Sequence, residues 1–426
     1  MITNSTPHLD VLTFVMTLEY NGYEYAGFQR QTATNQQEQY TYSPTNNTKS
    51  SKRPRRNNAS STTATSHPVV TVQHQLEMAL QQWTNLCIAT LRVRGAGRTD
   101  KGVHATGQVV AFDIPVRLLK LEQDTNHLNN GNNKEDEALS EQCIVHLQEA
   151  YHVLTRHLQQ QSSVNNATAK RSTKSTIDQW QIRRAVTTRL RCSDIAIRSV
   201  RMYTGGSIMH KQPFEARRHI KCKTYVYKLR FRRLAYLPCV VHDMKDIIHP
   251  ICHAGPHILR RIDDNNTIWL CPWPLDSTLL SLACDGFVGK HDFVNFVHKD
   301  ERKADEFRDG GGGGRQHEID LFEFNIVESV TDEKDEEEEL GDDLMLLPPV
   351  VDATFTLSAK GFHRSMVRNL VGFVVDIARG LRSIDDIPLL LSNKGGNYLH
   401  SCGKVNAAPA CGLCLAKVEY EHDNLL

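Results

Sequence analysis

The chain has 426 residues, 40% of them hydrophobic, with eleven cysteines and a formal net charge of +1, a length usually divided among two or three domains. No apolar run approaches the ~20 residues of a membrane-spanning helix, and the opening MITNSTPHLD has neither a basic nor an apolar leader. Scattered cysteines, odd in number, argue against a disulfide framework and for free thiols; together these features predict a soluble intracellular chain, with cytoplasm, nucleus and organelle all open.

In chain order, VLTFVMTLEYNG (11–22) alternates like a strand. TVQHQLEMALQQWTNL (71–86) has helical periodicity, with Val72, Leu76, Ala79, Leu80 and Trp83 on one face. TLRVRGAGRTD (90–100) and GQVVAFDIP (107–115) are two strand-like runs around a glycine loop, IDQWQIRRAVTTRL is a helix opened by Asp178, and DIAIRSVRMYT is a strand. That order is βαββαβ. The second half echoes it. KTYVYKLRFRR (223–233) is a strand, a helix surrounds LDSTLLSLACDGF, HEIDLFEFNIVE and VDATFTLSAKGF are strands, FHRSMVRNLVGFVVDIARG (362–380) is a helix, and CGLCLAKVEYE closes as a strand. The expected fold class is α+β, with two halves of split-βαβ type, each a helix-backed antiparallel sheet, joined around a cleft. The halves span 8–204 and 205–424.

Three polar stretches, about 32–66, 122–175 and 299–349, read as disordered insertions, because such compositions cannot repay the entropy of ordering. The second contains a segment of helical spacing, EQCIVHLQEAYHVLTRHL, and the third contains HEIDLFEFNIVE. KRPRR at 52–56 is a short basic pattern of a kind common by chance. The run 332–343, DEKDEEEELGDD, holds nine acids and one lysine, so the rest of the chain carries +9. A moderately basic body of this kind is compatible with a polyanionic partner.

The glycine loop GAGRTDKGVH (95–104) is the strongest local signal. Gly97 and Gly102 have Walker A spacing, but Val103 and His104 follow where the motif needs lysine and a hydroxyl. The dinucleotide pattern fails at its third position, Asp100, whose charge would repel a pyrophosphate. What remains is a carboxylate flanked by Arg98 and Lys101, and nearby cations favour its ionised form. Such a group suits a nucleophile or a base, while Gly, Asp and Thr also serve as ordinary turn residues between strands.

RGAGRTDKGVHATGQVVAF closely resembles the signature of the TruA family of tRNA pseudouridine synthases. LEYNGYEYAGFQRQ, TVQHQLEMAL, FEARRHIKCKTYVYKL, GKHDFVNF, FHRSMVRNLVGFVVDIARG and APACGLCLAKVEY resemble further blocks of the family, in family order. The resemblance implies ferredoxin-like, RRM-like halves and a basic central cleft. It also implies isomerisation of uridine to pseudouridine in the anticodon stem-loop of tRNA, with neither cofactor nor metal. The catalytic aspartate falls on Asp100. Arg98 falls on the arginine that contacts RNA and prises out the target base, and Lys101 stands where bacterial members often have a small residue, adding a phosphate contact or none. Tyr225 falls on the tyrosine stacked on uracil, Arg368 on the basic residue paired with the aspartate, and Leu413 on an apolar residue packing the base pocket. Bacterial members are homodimers, an assembly against which the large insertions of this chain weigh.

Without the resemblance the same residues have plainer readings. One of Tyr225 and Tyr227 belongs to a strand's core face, and Arg364 and Arg368 form a solvated helix face opposite Val367, Leu370, Val371 and Val374. His104 and His363 are structural or touch RNA. A non-catalytic RNA-binding protein on the same scaffold is the rival function. A zinc site at His400, Cys402, Cys411 and Cys414 fits poorly, since only one pair is tightly spaced and GLCLAKVEY reads as a buried strand.

Overall fold

The computed structural model describes residues 11–30, 70–119, 138–163, 177–203, 214–218, 220–234, 259, 261, 264, 266–298, 317–330, 349–392 and 405–421. KRPRR, the acidic run, His400 and Cys402 lie outside these residues.

Eleven strands among the described residues form one sheet. They are β1 (Val11–Tyr20), β2 (Arg94–Gly95), β3 (His104–Pro115), β4 (Ile177–Asp178), β5 (Ile195–Met202), β6 (Ile220–Arg232), β7 (Trp269–Leu270), β8 (Gly289–Asp292), β9 (Glu318–Val330), β10 (Val350–Ala359) and β11 (Leu413–Tyr420). The sheet order is β4-β5-β1-β3-β11-β6-β10-β9-β8, with β2 beside β3 and β7 beside β6. Most pairs are antiparallel, and β3 meets β11 in parallel through only His104–Cys414 and Ala105–Leu415. This short seam joins the strands of the first half to those of the second. No helix among the described residues is long and apolar enough to cross a membrane.

Helix α1 (Val72–Thr84) buries the anticipated face, Val72, Leu76, Ala79, Leu80 and Trp83, and the Thr71 hydroxyl caps it by accepting from His74 N. A short α2 (Ile88–Leu91) stands where the sequence read as the start of a strand, and only Arg94 and Gly95 of that run pair with β3. The alternation in LRVRG is too brief to hold a ladder before the glycines break it.

Helix α3 (Glu141–Ser163) belongs to the stretch expected to be solvated, yet Cys143, Leu147 and Ala150 are buried. Its start is tied to α1 by Ser140 Oγ donating to Trp83 O at 2.6 Å and Asn85 Nδ2 donating to Ala138 O at 3.1 Å. Helix α4 (Trp180–Thr187) begins later than expected, because Asp178 belongs to β4, where it pairs with Arg201. Gln179 is the flanking residue there and makes no side-chain cap.

In the second half, α5 (Ser277–Asp285) is capped by Asp276, whose carboxylate accepts from Thr278 N and Leu279 N. Helix α6 (Met366–Ala378) is buried through most of its length, and α7 (Asp386–Leu391) follows it. β9, inside the third polar stretch, pairs with β10 along most of its length and buries Leu321 and Phe324. A core continuous across both halves includes Phe14, Phe112, Trp83, Tyr227, Phe231, Phe355 and Phe373.

Candidate active site

The loop between β2 and β3 is glycine-rich, and tertiary hydrogen bonds fix its backbone. Gly95 O accepts from Arg217 Nε at 3.2 Å, and Ala96 O accepts from Lys223 Nζ at 2.9 Å. The Gln108 amide bonds Gly97 at both ends, accepting from its N–H at 3.2 Å and donating to its carbonyl at 2.8 Å. Thr99 O accepts from Phe28 N, and the Thr99 hydroxyl shares a 2.9 Å hydrogen bond with Tyr20 Oη. Gly27, at φ +108°, allows the opening loop to lie against this one, since a Cβ there would come within 2.6 Å of Thr99 O. Asp100 is thereby presented on a braced turn.

Groups from far along the chain meet Asp100. Ser365 Oγ donates to its Oδ2 at 3.2 Å, Arg368 NH1 lies 3.8 Å from Oδ2, and Arg364 Nε lies 3.9 Å from Oδ1. The Asp100 side chain keeps 28% of its surface exposed. Ser365 takes the left-handed conformation (φ 60°, ψ 0°) immediately before α6. A non-glycine residue held there stores ~1–3 kcal/mol of strain and commonly marks a functional site. Arg364 precedes the helix, so it and Arg368 do not form one solvated face; they converge on the carboxylate from a turn and from the first turn of α6. Arg368 is anchored by its Nε, which donates to Ala408 O at 2.7 Å, while its own carbonyl accepts from Ala408 N.

Tyr225 and Tyr227 are two residues apart on β6 and therefore share a face. Tyr227 is fully buried and donates to Pro409 O at 2.8 Å, and Tyr225 is buried too, with 8% of its surface exposed, so both belong to the core. Tyr225 lies toward Asp100, with Phe362 edge-on to its ring at 5.2 Å between centroids. Burial, then the Asp100 carboxylate and Cys414, push its phenol well up, so it stays protonated.

Leu413 pairs with Tyr227, whereas Leu415 pairs with Tyr225 and reaches the space beside Gly97. The structure therefore puts Leu415 nearer the tyrosine than the expected Leu413.

Arg98 and Lys101 are exposed on the loop, and Arg98 faces Arg217 closely enough to depress it, after burial. Two guanidiniums facing each other suit an anion between them. His104 is buried, and its Nδ1 accepts from Gly22 N at 3.1 Å, a structural link between the opening loop and β3. Burial pulls its imidazolium down. His363 rests against His317 at 4.8 Å. Cys411 and Cys414 have separate partners, Ile268 O and Thr106 Oγ1, and burial pushes both thiols up.

Ser365, Lys223, Arg217 and Phe362 escaped the sequence reading. Only the spacing KxY in KTYVY could have signalled Lys223, because residues i and i+2 of a strand share a face.

The comparisons with known proteins agree with one another. A family model described as tRNA pseudouridine synthase matches residues 283–421. The chain is 24% identical to tRNA pseudouridine synthase A 1 of Bacillus cereus over 352 residues, covering 83% of this chain and 90% of that protein. It is 24% identical to tRNA pseudouridine synthase A of Rhodopseudomonas palustris over 336 residues, 79% of this chain and 85% of the other. A shorter stretch of 146 residues is 34% identical to tRNA pseudouridine synthase A of Finegoldia magna, 34% of this chain and 45% of the relative.

Proposed function

This chain belongs to the TruA family of tRNA pseudouridine synthases, which are isomerases, and from that premise we propose that Asp100 is its catalytic residue and uridines of the tRNA anticodon stem-loop its substrates. The observation that carries the assignment is the convergence on Asp100 of Ser365, Arg364 and Arg368, more than 260 residues away in sequence, beside the ring of Tyr225.

The reaction breaks the N1–C1′ bond of uridine, turns the base and joins C5 to C1′. Atoms are conserved and nothing is oxidised. A target base must leave its stack, at a cost of a few kcal/mol, and stacking on an aromatic face returns ~1–3 kcal/mol. Tyr225 supplies that face, with Leu415 packing beside it and Leu413 one step behind. Arg98 fills the space the base vacates and, with Arg217 and Lys101, holds phosphate. Asp100 adds to the sugar or takes its 2′ proton. Both routes use an ionised carboxylate in a fixed position, which Arg368 and Ser365 supply.

The same proposal divides the chain into ferredoxin-like halves at 8–204 and 205–424. Its support is a shared permutation: β5-β1-β3-β2 in the first half and β11-β6-β10-β9 in the second each place the fourth strand beside the first and the third between first and second. A homodimer belongs to the proposal as well, and light scattering of the purified chain tests it.

The decisive assay is tritium release from C5-labelled uridine in tRNA. The unmutated chain is expected to release label while Asp100→Asn binds tRNA and releases none. Release by the mutant at the full rate overturns the assignment of Asp100. Binding without release by the unmutated chain leaves the rival, a non-catalytic RNA-binding protein.

A further inference from the structure

Lys223 stands two residues before Tyr225 on β6, so the two side chains leave the sheet on one side. Its Nζ donates to Ala96 O at 2.9 Å, which places an ammonium directly behind the loop that bears Asp100. The point where a side chain on Gly97 would begin lies 3.8 Å from Lys223 Nζ, 3.8 Å from Tyr225 Oη and 3.6 Å from a Leu415 methyl. The glycine thus leaves a slot open, bounded by a cation, a phenol and an aliphatic wall. An ammonium has three donors, and among the described residues Ala96 O is the one hydrogen-bond acceptor it meets.

Among the described residues Lys223 forms no ion pair. Its strand partners are Ala359 on β10 and Val418 on β11. The charged groups flanking those partners are engaged elsewhere, Lys360 with Glu421 and Lys417 with Glu419. On its own strand the nearest titratable groups are Lys221, Cys222 and Tyr225, and the loop beyond Gly97 carries Arg98 and Asp100, of which Asp100 acts on Tyr225. Arg217, pinned to the adjacent Gly95 O, acts on it directly; burial first and that guanidinium second pull the ammonium down to about 8. Holding an unpaired cation in such a place opposes folding, a cost found where a group serves a reaction.

Resting on the uridine isomerisation proposed above, we infer that Lys223 is a further catalytic residue, whose ammonium donates to a carbonyl oxygen of the uracil ring. Whichever route Asp100 takes, the N1–C1′ bond breaks with its electron pair on the base. The departing uracil is an anion whose charge spreads from N1 onto its carbonyl oxygens. Lys223 stabilises that charge by donating a hydrogen bond; no proton changes owner. When C5 then bonds to C1′, the C5 proton leaves to water, N1 takes a proton from water, and the ring recovers its C5–C6 double bond. A fixed donor aimed at developing charge in a partly dry site commonly contributes about 10²–10³-fold in kcat.

Single-turnover rates of pseudouridine formation in tRNA, measured from pH 6.5 to 9.5, test the inference. The unmutated chain is expected to lose rate above pH about 8, as Lys223 sheds its proton. Lys223→Gln is expected to fall about 100-fold at pH 7 with tRNA affinity nearly unchanged, and to lose that alkaline limb. Lys223→Arg, which keeps its charge throughout, is expected to recover part of the rate and to carry the limb upward. A flat profile in the unmutated chain overturns the inference without needing any variant to fold. So does Lys223→Gln at a wild-type rate, or an alkaline limb unmoved by either substitution. Absence of product from the unmutated chain at every pH removes the isomerase reading itself, and this inference with it.

Discussion

Two aspartates flank the start and end of one stretch of chain, Asp100 before β3 and Asp113 near its end, and both face arginines. Asp113 is saturated. It accepts from Arg94 through two bonds of 2.9 Å and from the Thr13 hydroxyl at 2.8 Å, with Arg92 at 3.3 Å and only 2% of its side chain exposed. Asp100 has one hydrogen bond of 3.2 Å, guanidiniums held off at 3.8 and 3.9 Å, and an open flank. The chemistry of the partners is the same, and the distance separates a brace from the proposed reagent. Short bidentate pairs occupy the carboxylate's lone pairs; the looser contacts at Asp100 leave lone pairs open, as the proposed chemistry requires.

That contrast can be broken by measurement. Asp100→Asn is expected to lower kcat by about 10⁴-fold or more, while its urea unfolding midpoint stays at the wild-type value; a lowered midpoint would make Asp100 another brace. Asp113→Ala reverses the pattern. It takes the buried carboxylate from Arg94, which keeps Glu215 and backbone carbonyls, and leaves the Thr13 hydroxyl without its acceptor, so a stability loss of about 3 kcal/mol is expected from urea titration, with near-normal turnover per folded molecule. Arg368→Gln falls between the two, because Arg368 both faces Asp100 and anchors to Ala408: about 100-fold in kcat with a stability loss of ~1.5–3 kcal/mol. Ser365 gives the smallest effect and the sharpest split. Ser365→Ala is expected to cost roughly fivefold in kcat, in line with one ~1 kcal/mol hydrogen bond. Ser365→Gly should lose the same rate yet unfold at higher urea, since glycine relieves ~1 kcal/mol or more of left-handed strain. Equal stability of the two mutants would show that the strain is not there.

The elements that sequence periodicity exposed are those whose pattern runs long enough to be unambiguous. The alternation in VLTFVMTLEY and the apolar face of α1 are set by local period, and both stand where the residues put them. LRVRG misled because two alternations beside a glycine loop cannot distinguish a strand from a turn of helix. Asp178 looked like a cap, but pairing with β5 competed successfully for it. The site divides along the same line. The glycine loop, Tyr225 and Arg368 sit in contiguous motifs that a family resemblance can carry. Ser365, Arg217 and Lys223 matter through contacts made across the fold, and no local pattern encodes a serine at φ 60° or an ammonium under a carbonyl 127 residues away.

The seam between β3 and β11 has a consequence for how the protein is made. β11 follows every other described strand in chain order, yet it lies in mid-sheet and touches the loop-bearing strand through two residue pairs. On a ribosome, the loop carrying Asp100 and the strand carrying Tyr225 emerge long before the piece that wedges their halves of the sheet together. A nascent chain stalled short of residue 413 would therefore hold both proposed site residues without the strand that joins their two halves of the sheet, and the proposed chamber closes only as that wedge is threaded into place.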